Sequence, residues 1–328
     1  MWKSIQHLGV QRFMFIGLLF LSISFFGLFY IDSSFIYFQI AFIILAIAHD
    51  FGAGMYWIFS NSILFKAIGT MKCPGRNASF IYMLYTGASI LSAIIGVVFD
   101  RKEIFSFLFL LSGILLLLSM VPLRNIDFKL NKKISLKRAL RNISSNALIG
   151  NLDLETPIKS TALPLILLLF FSSISESIFV ISVSQIIAAI FAYLTGFSKD
   201  KKSPYMSYFG FILSICVWFL YGVASAAIFF IALAILESVS STILSVDRTA
   251  RLSRDVVNTG KTIETAIVIE IFRQIGPAIS FTLLLGIYQL TNTLDQFVLI
   301  AGSFLILPKA LYAMGGIERL RLNKRAKF

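Results

Sequence analysis

Ionisable side chains are scarce in this chain, and the few that interrupt its apolar runs mark where chemistry would be done. Only 14% of the 328 residues are charged. His49 and Asp50 stand side by side in one apolar run, Asp153, Glu155 and Lys159 in another, Glu237 in a third, and Glu270 and Arg273 in a fourth. A charge in hydrocarbon is expensive, so such a group is kept where it meets water, a partner or a ligand. Asp50 suits cation binding or proton carriage, and equally a hydrogen bond to a neighbouring helix. His49 points about 100° away from it on a helix, which favours separate roles over a joint one. Glu155 and Lys159 are spaced i, i+4 with the acid first, the order that suits a helical ion pair. Pro157 between them loosens the backbone and frees a carbonyl. Asp153 has no such local partner and is the better ligand candidate. Glu237 shares a helical face with Ser241, Ser245 and Arg248, and its carboxyl has the setting of a proton carrier. Those serines serve close helix packing equally well. Glu270 and Arg273, at i, i+3, read most simply as a structural ion pair, with gating as the other role. Tyr56, Trp57, Tyr82 and Tyr85 either line a cavity or pack in the core, and among 33 Phe the core is favoured.

The same inventory excludes several functions. His7, His49, Cys73 and Cys216 fall at no usual zinc spacing, and no disulfide is expected between a loop cysteine and one inside a span. No phosphate-binding glycine loop is present, which argues against an ATP-driven pump. No cofactor or metal is expected, and no catalytic set. The net charge of +13 could suggest nucleic acid. However, the basic residues sit in short segments between apolar runs, where they orient helices and meet anionic lipid. The glycosylation patterns at Asn77 and Asn142 fall on what reads as the cytoplasmic side.

The elements that position these residues are spans. Hydrophobic residues make up 58% of the chain, and charge falls well below the ~25% of soluble domains. Apolar runs occupy 13–31, 35–66, 79–99, 104–122, 146–171, 175–196, 205–222, 226–247, 262–288 and 294–313. Each is long enough for the ~20-residue helix that crosses a ~30 Å hydrocarbon core. With residue 1 inside and one crossing per run, most of the 29 Lys and Arg fall on the cytoplasmic side. Only Arg101 and Lys102 face outward between runs. This asymmetry sets the topology and predicts both termini to be cytoplasmic. Parity settles two awkward runs. The charged run 146–171 must cross, or the basic stretches 199–202, 248–261 and 319–327 would all face outward. The long run 35–66 crosses once, tilted or bent near Gly52 and Gly54.

A weak internal repeat sets Arg76 to Gly96 against Lys261 to Ser280, aligning Leu91-Ser92-Ala93 with Gly276-Pro277-Ala278. A basic linker, 123–145, separates 1–122, with about four spans, from 146–328, with about six and a basic tail. Here the chain resembles the major facilitator superfamily of secondary transporters, built from two six-helix bundles joined by a long cytoplasmic loop. Met1–Gly17 looks like that family's loop between its second and third helices. Phe51-Gly52-Ala53-Gly54-Met55-Tyr56-Trp57 is similar to its fourth helix, and Arg76 to Gly96 to its fifth. Gly196-Phe197-Ser198-Lys199-Asp200-Lys201-Lys202 loosely echoes its acidic-basic loop motif. The resemblance makes the spans helices 3 to 12 and implies that the first two helices are missing. It also places the intramembrane charges on helices 4, 7, 10 and 11, which line the family's cavity.

The expected fold is therefore all-α and polytopic, with about ten spans in two bundles, in the plasma membrane. The expected function is transport of a small solute by alternating access, with protons as a candidate coupling ion through Asp50, Asp153 or Glu237. The alternatives are a truncated relic that does not transport and a polytopic enzyme acting on lipid. The pathway candidates are Asp50, His49, Asp153, Glu155, Lys159 and Glu237, with Glu270 and Arg273 as the structural or gating pair. Expected partners are the solute, protons and membrane lipid, without nucleic acid.

Overall fold

Inside a bilayer no water satisfies backbone N–H and C=O groups, so apolar runs of this length fold as helices. In the computed structural model every regular element among the described residues is a helix. Those residues are 2–31, 37–98, 102–124, 140, 143, 148, 151–154, 174–201, 205–221, 227–258 and 262–291. In chain order the helices are α1 (Trp2–Tyr30), α2 (Phe38–Thr70), α3 (Pro74–Val98), α4 (Lys102–Leu118) and the one-turn α5 (Met120–Leu123). They continue with α6 (Ile174–Asp200), α7 (Tyr205–Tyr221), α8 (Ala227–Asn258) and α9 (Thr262–Thr291). Five contain segments long and apolar enough to cross a membrane: Val10–Tyr30, Phe38–Thr70, Phe179–Asp200, Ile228–Val257 and Glu264–Leu283. The protein is an all-α, multi-pass membrane protein. The run 294–313 lies outside the described residues, as does most of 146–171 and of the linker 123–145.

Two boundaries depart from expectation. The stretch 248–258 continues α8 as helix, although its charge reads as a loop. Arg248 pairs with Asp153 and Arg251 with Asp247 from helical turns, so charge alone does not end the helix. Likewise Lys199 and Asp200 close α6 instead of following it.

The residues divide into two compact units. The first comprises 1–64 and 98–138. In it α1 packs against α4, and Gly17 of α1 meets Gly52 of α2 backbone to backbone. A Cβ on Gly17 would lie 2.8 Å from the Gly52 carbonyl oxygen, so neither position tolerates a side chain. Gly52 therefore serves close helix approach, and α2 runs unbroken through it as a single 33-residue helix. The side chain of Gln11 donates to the carbonyls of Leu123 and Arg124 at 2.9 and 2.8 Å, satisfying acceptors at the end of α5.

The second unit comprises 65–97 and 139–328, with α8 packed against α6 and α7 and touching α9. Phe65 closes a buried cluster with Leu252, Val256, Ala266 and Ile269. α7 buries Ser207, Gly210, Ser214, Val217, Trp218 and Tyr221, and Gly210 admits the Ile243 side chain of α8. Small residues also govern where α3 crosses α6. A Cβ on Gly196 would lie 2.5 Å from Ser79 Oγ and 2.7 Å from the Gly75 carbonyl oxygen. Gly75 and Ser79, one turn apart, make the surface into which α6 settles.

Candidate functional site

A cavity of about 250 Å³ opens between α3, α6 and α8 within the second unit. Tyr82, Tyr85, Thr86 and Ser89 form its α3 wall. Their spacing of i, i+3, i+4 and i+7 gathers four hydroxyls on one helical stripe. Gln185 and Ala188 of α6 form the second wall, and Glu237, Ser238, Ser241 and Thr242 of α8 the third. Glu237 is 6% exposed and lies inside the apolar segment Ile228–Val257. Gln185 Oε1 is buried and accepts no hydrogen bond among the described residues. Ser238 Oγ donates to Ser184 Oγ across the α6–α8 contact at 3.1 Å. No Lys, Arg or His lines this cavity among the described residues. Its lining is largely polar, and its volume is just under the usual ~300–1,000 Å³ of drug-sized pockets.

The predicted face Glu237–Ser241–Ser245–Arg248 divides in two. Glu237 and Ser241 line the cavity, whereas Arg248 turns to a buried charge network below them in sequence. In that network Arg248 Nη1 donates to Asp153 Oδ1, and Arg273 Nε lies 3.2 Å from Asp153 Oδ2. Arg273 Nη1 also reaches Glu270 Oε2 at 3.3 Å, and Gln274 Nε2 donates to Glu270 Oε1 at 3.3 Å. Asp153, Arg248 and Glu270 are all buried. Among the described residues, two acids and two arginines leave the network neutral, which suits its burial. Glu270 and Arg273 pair as their spacing predicts. Asp153, without a local partner in sequence, acquires two arginines from helices far along the chain. Gly276 makes room for this, since a Cβ there would lie 3.0 Å from the Asp153 amide nitrogen. Pro277, inside α9, lacks the N–H that would otherwise bond the Arg273 carbonyl.

The end of α6 joins a third set of charges. Lys199 pairs with Asp247 of α8, and Arg251 Nε donates to the same carboxylate at 3.0 Å. The next residue, Asp200, accepts from the backbone N–H groups of Gly75 and Arg76 at 2.9 and 3.1 Å and from Arg76 Nε at 3.1 Å. A carboxylate thus caps the N-terminus of α3, where the helix dipole favours negative charge. Arg76 Nη2 donates to Cys73 Sγ at 2.8 Å. The acidic-basic echo at 196–202 therefore has a mechanical content: a helix crossing at Gly196, a cap from Asp200 and a strut from Lys199.

The remaining candidates stand apart from the cavity. In the first unit His49 packs edge-on against Phe25, and its Nδ1 lies 3.3 Å from Ser24 Oγ. Asp50 is exposed on α2. Tyr56 and Trp57 meet edge to face, their ring centroids 5.3 Å apart. Glu155 and Lys159 lie outside the described residues. Tyr82 and Tyr85, expected in the core, line the cavity instead. Thr86, Ser89, Gln185, Ser238 and Thr242 were not anticipated, though the polar stripe on α3 was visible in the spacing. No group of three or more potential metal ligands occurs among the described residues.

No protein-family model matches the chain, and no curated protein matches it by sequence. Solved structures do match in fold. The E. coli fucose:proton symporter superposes with a TM-score of 0.66 at 12% identity, covering 95% of this chain and 85% of its own. A proton:xylose symporter of the major facilitator superfamily, solved with 6-bromo-6-deoxy-D-glucose bound, gives a TM-score of 0.70 at 12% identity, covering 95% of this chain and 80% of its own. The chain therefore has the fold of the major facilitator superfamily.

Proposed function

We infer that this protein is a secondary transporter, carrying a small solute across the plasma membrane by alternating access. The observation that carries this reading is the α3–α6–α8 cavity, where hydroxyls surround a buried Glu237 amid spans that are otherwise apolar. A carboxyl is costly to keep there unless it binds something. The two similar symporters support the same reading, each being a proton-coupled sugar carrier by its own description.

In the proposed cycle, the bundles on either side of the 123–145 linker rock about the solute. The solute sits against Glu237, with the tyrosines of α3 and Gln185 of α6 fixing its orientation. The ties at the end of α6, Asp200 to α3 and Lys199 to Asp247, hold one mouth shut and release when it opens. Protons are the proposed coupling ion. Of the three carboxyls that sequence nominates, Glu237 is favoured because it shares the solute's cavity. Asp153 is engaged by two arginines, and Asp50 lies on the other unit. Both termini are proposed to be cytoplasmic, with basic loops against anionic lipid.

Reconstitution into proteoliposomes with an imposed pH gradient tests this. Solute uptake should fall at least about tenfold in Glu237→Gln, while Asp50→Asn retains most of it. Unchanged uptake in Glu237→Gln, Asp153→Asn and Asp50→Asn alike would remove the proton-coupled mechanism.

A further inference from the structure

We propose that the face of α2 turned away from α1 docks one transmembrane helix of another polypeptide, apolar except for a lysine or arginine set opposite Asp50. The face is a regular seam. Ile40, Ile43, Ile47, Asp50, Gly54 and Trp57 follow one another at alternating steps of three and four, the spacing along which two helices interlock. At about 100° per residue the seam centres roughly 180° from Gly52, the residue that meets α1. Ile40, Ile43 and Ile47 are each more than half exposed, and Asp50 and Trp57 are exposed beside them. A Cβ on Gly54 would meet nothing within 4 Å. The apolar window of α2 is 11% buried, against 33–50% for the other four long spans.

Asp50 says what covers this face. It makes no hydrogen bond or ion pair among the described residues, and it lies roughly 18 Å along α2 from Phe38, well inside the span. An acid at that depth is expensive against acyl chains, and a facing cation offsets the cost through a charge-assisted hydrogen bond. Lipid alone would cover the isoleucines and leave the acid unmet. A polar solute would find along the isoleucines none of the hydroxyls that line the α3–α6–α8 cavity.

A second copy fits no better. Two copies related by an axis along the membrane normal would set Asp50 directly against Asp50, like charge on like. Gly54 favours a helix over lipid. A glycine facing acyl chains weakens its helix for no return, whereas against another helix it admits close approach.

Synthetic Leu-Ala helices of roughly 24 residues, long enough to span, test the seam when they carry Lys, Leu or Glu at the centre. The full chain bears a donor fluorophore at Tyr37→Cys, with Cys73→Ser and Cys216→Ser, and energy transfer to acceptor-labelled peptide is titrated in dilute proteoliposomes. The Lys peptide should associate at least about tenfold more tightly than the Leu peptide, and the Glu peptide least of all. Asp50→Asn should abolish the preference, and Asp50→Lys should hand it to the Glu peptide. Gly54→Leu, which fills the seam, should weaken the Lys peptide several-fold. Equal association of the three peptides, or a Lys preference that survives in Asp50→Asn, would overturn the proposal. Energy transfer between two labelled copies at the same dilution would overturn it in favour of a second copy. Solute uptake lost in Asp50→Asn, with no peptide preference in the parent, would overturn it in favour of a wall of the solute's route.

Discussion

Two buried carboxylates of the second unit are built for different work, and their surroundings say which. Asp153 touches two arginines across two helices, so removing its charge takes a carboxylate from the buried Arg248 and from the half-buried Arg273. Breaking a buried ion pair by deleting one member costs about 3–5 kcal/mol. Asp153→Asn should therefore lower the unfolding free energy by about that amount in detergent micelles. Adding Arg248→Gln should recover a substantial part of the loss, since it removes one stranded cation. Glu237 lines a cavity, so Glu237→Gln should cost less than about 1.5 kcal/mol of stability while lowering proton-driven uptake at least about tenfold. Comparing the two variants by thermal unfolding and by uptake separates strut from carrier. Equal stability losses in both would show that Glu237 is structural too.

At the scale of elements, the helices were readable because hydrophobic runs and basic loops report directly on burial in lipid. Their contacts were not. Gly196 and Gly75 lie far apart in sequence, and only the crossing of α3 on α6 explains why both lack a side chain. Asp200 looked like part of a charged loop, yet it ends α6 and caps α3, a role that depends on where another helix begins. Similarly, the partners of Asp153 come from α8 and α9, beyond any local spacing rule. The α3 stripe was a different case. Its period was present in Tyr82, Tyr85, Thr86 and Ser89, but aromatic abundance hid it. The crossing can be tested by contrast with Gly54, whose added Cβ would meet nothing within 4 Å. Gly196→Leu must push against the Gly75 backbone, and overpacking of that kind costs about 1–3 kcal/mol. Gly54→Ala should be neutral or gain up to about 1 kcal/mol through helix propensity. Unfolding of the two variants side by side measures the difference, and an equal response would dismiss the tight crossing.

For the whole molecule, everything depends on which ends of the helices share a face of the membrane. Charge asymmetry assigns Lys72, at the α2–α3 turn, Lys201, just past α6, and Arg254, near the end of α8, to one side. It assigns Tyr37, at the start of α2, to the other. The structure gives each a position at or beyond a helix end or on an accessible turn, with Tyr37 60% exposed. Their sidedness is therefore open to chemistry. In a background of Cys73→Ser and Cys216→Ser, single cysteines replace these four residues, and intact cells are treated with a membrane-impermeant maleimide. Tyr37→Cys should label at once. Lys72→Cys, Lys201→Cys and Arg254→Cys should label only after permeabilisation. Three agreeing positions at three separate turns would support the crossings that charge asymmetry assigns between them. Labelling of Lys201→Cys from outside would mean that the charged run 146–171 does not cross. α6 and α8 would then run opposite to the assigned direction relative to α3, and the α3–α6–α8 cavity could not form as described.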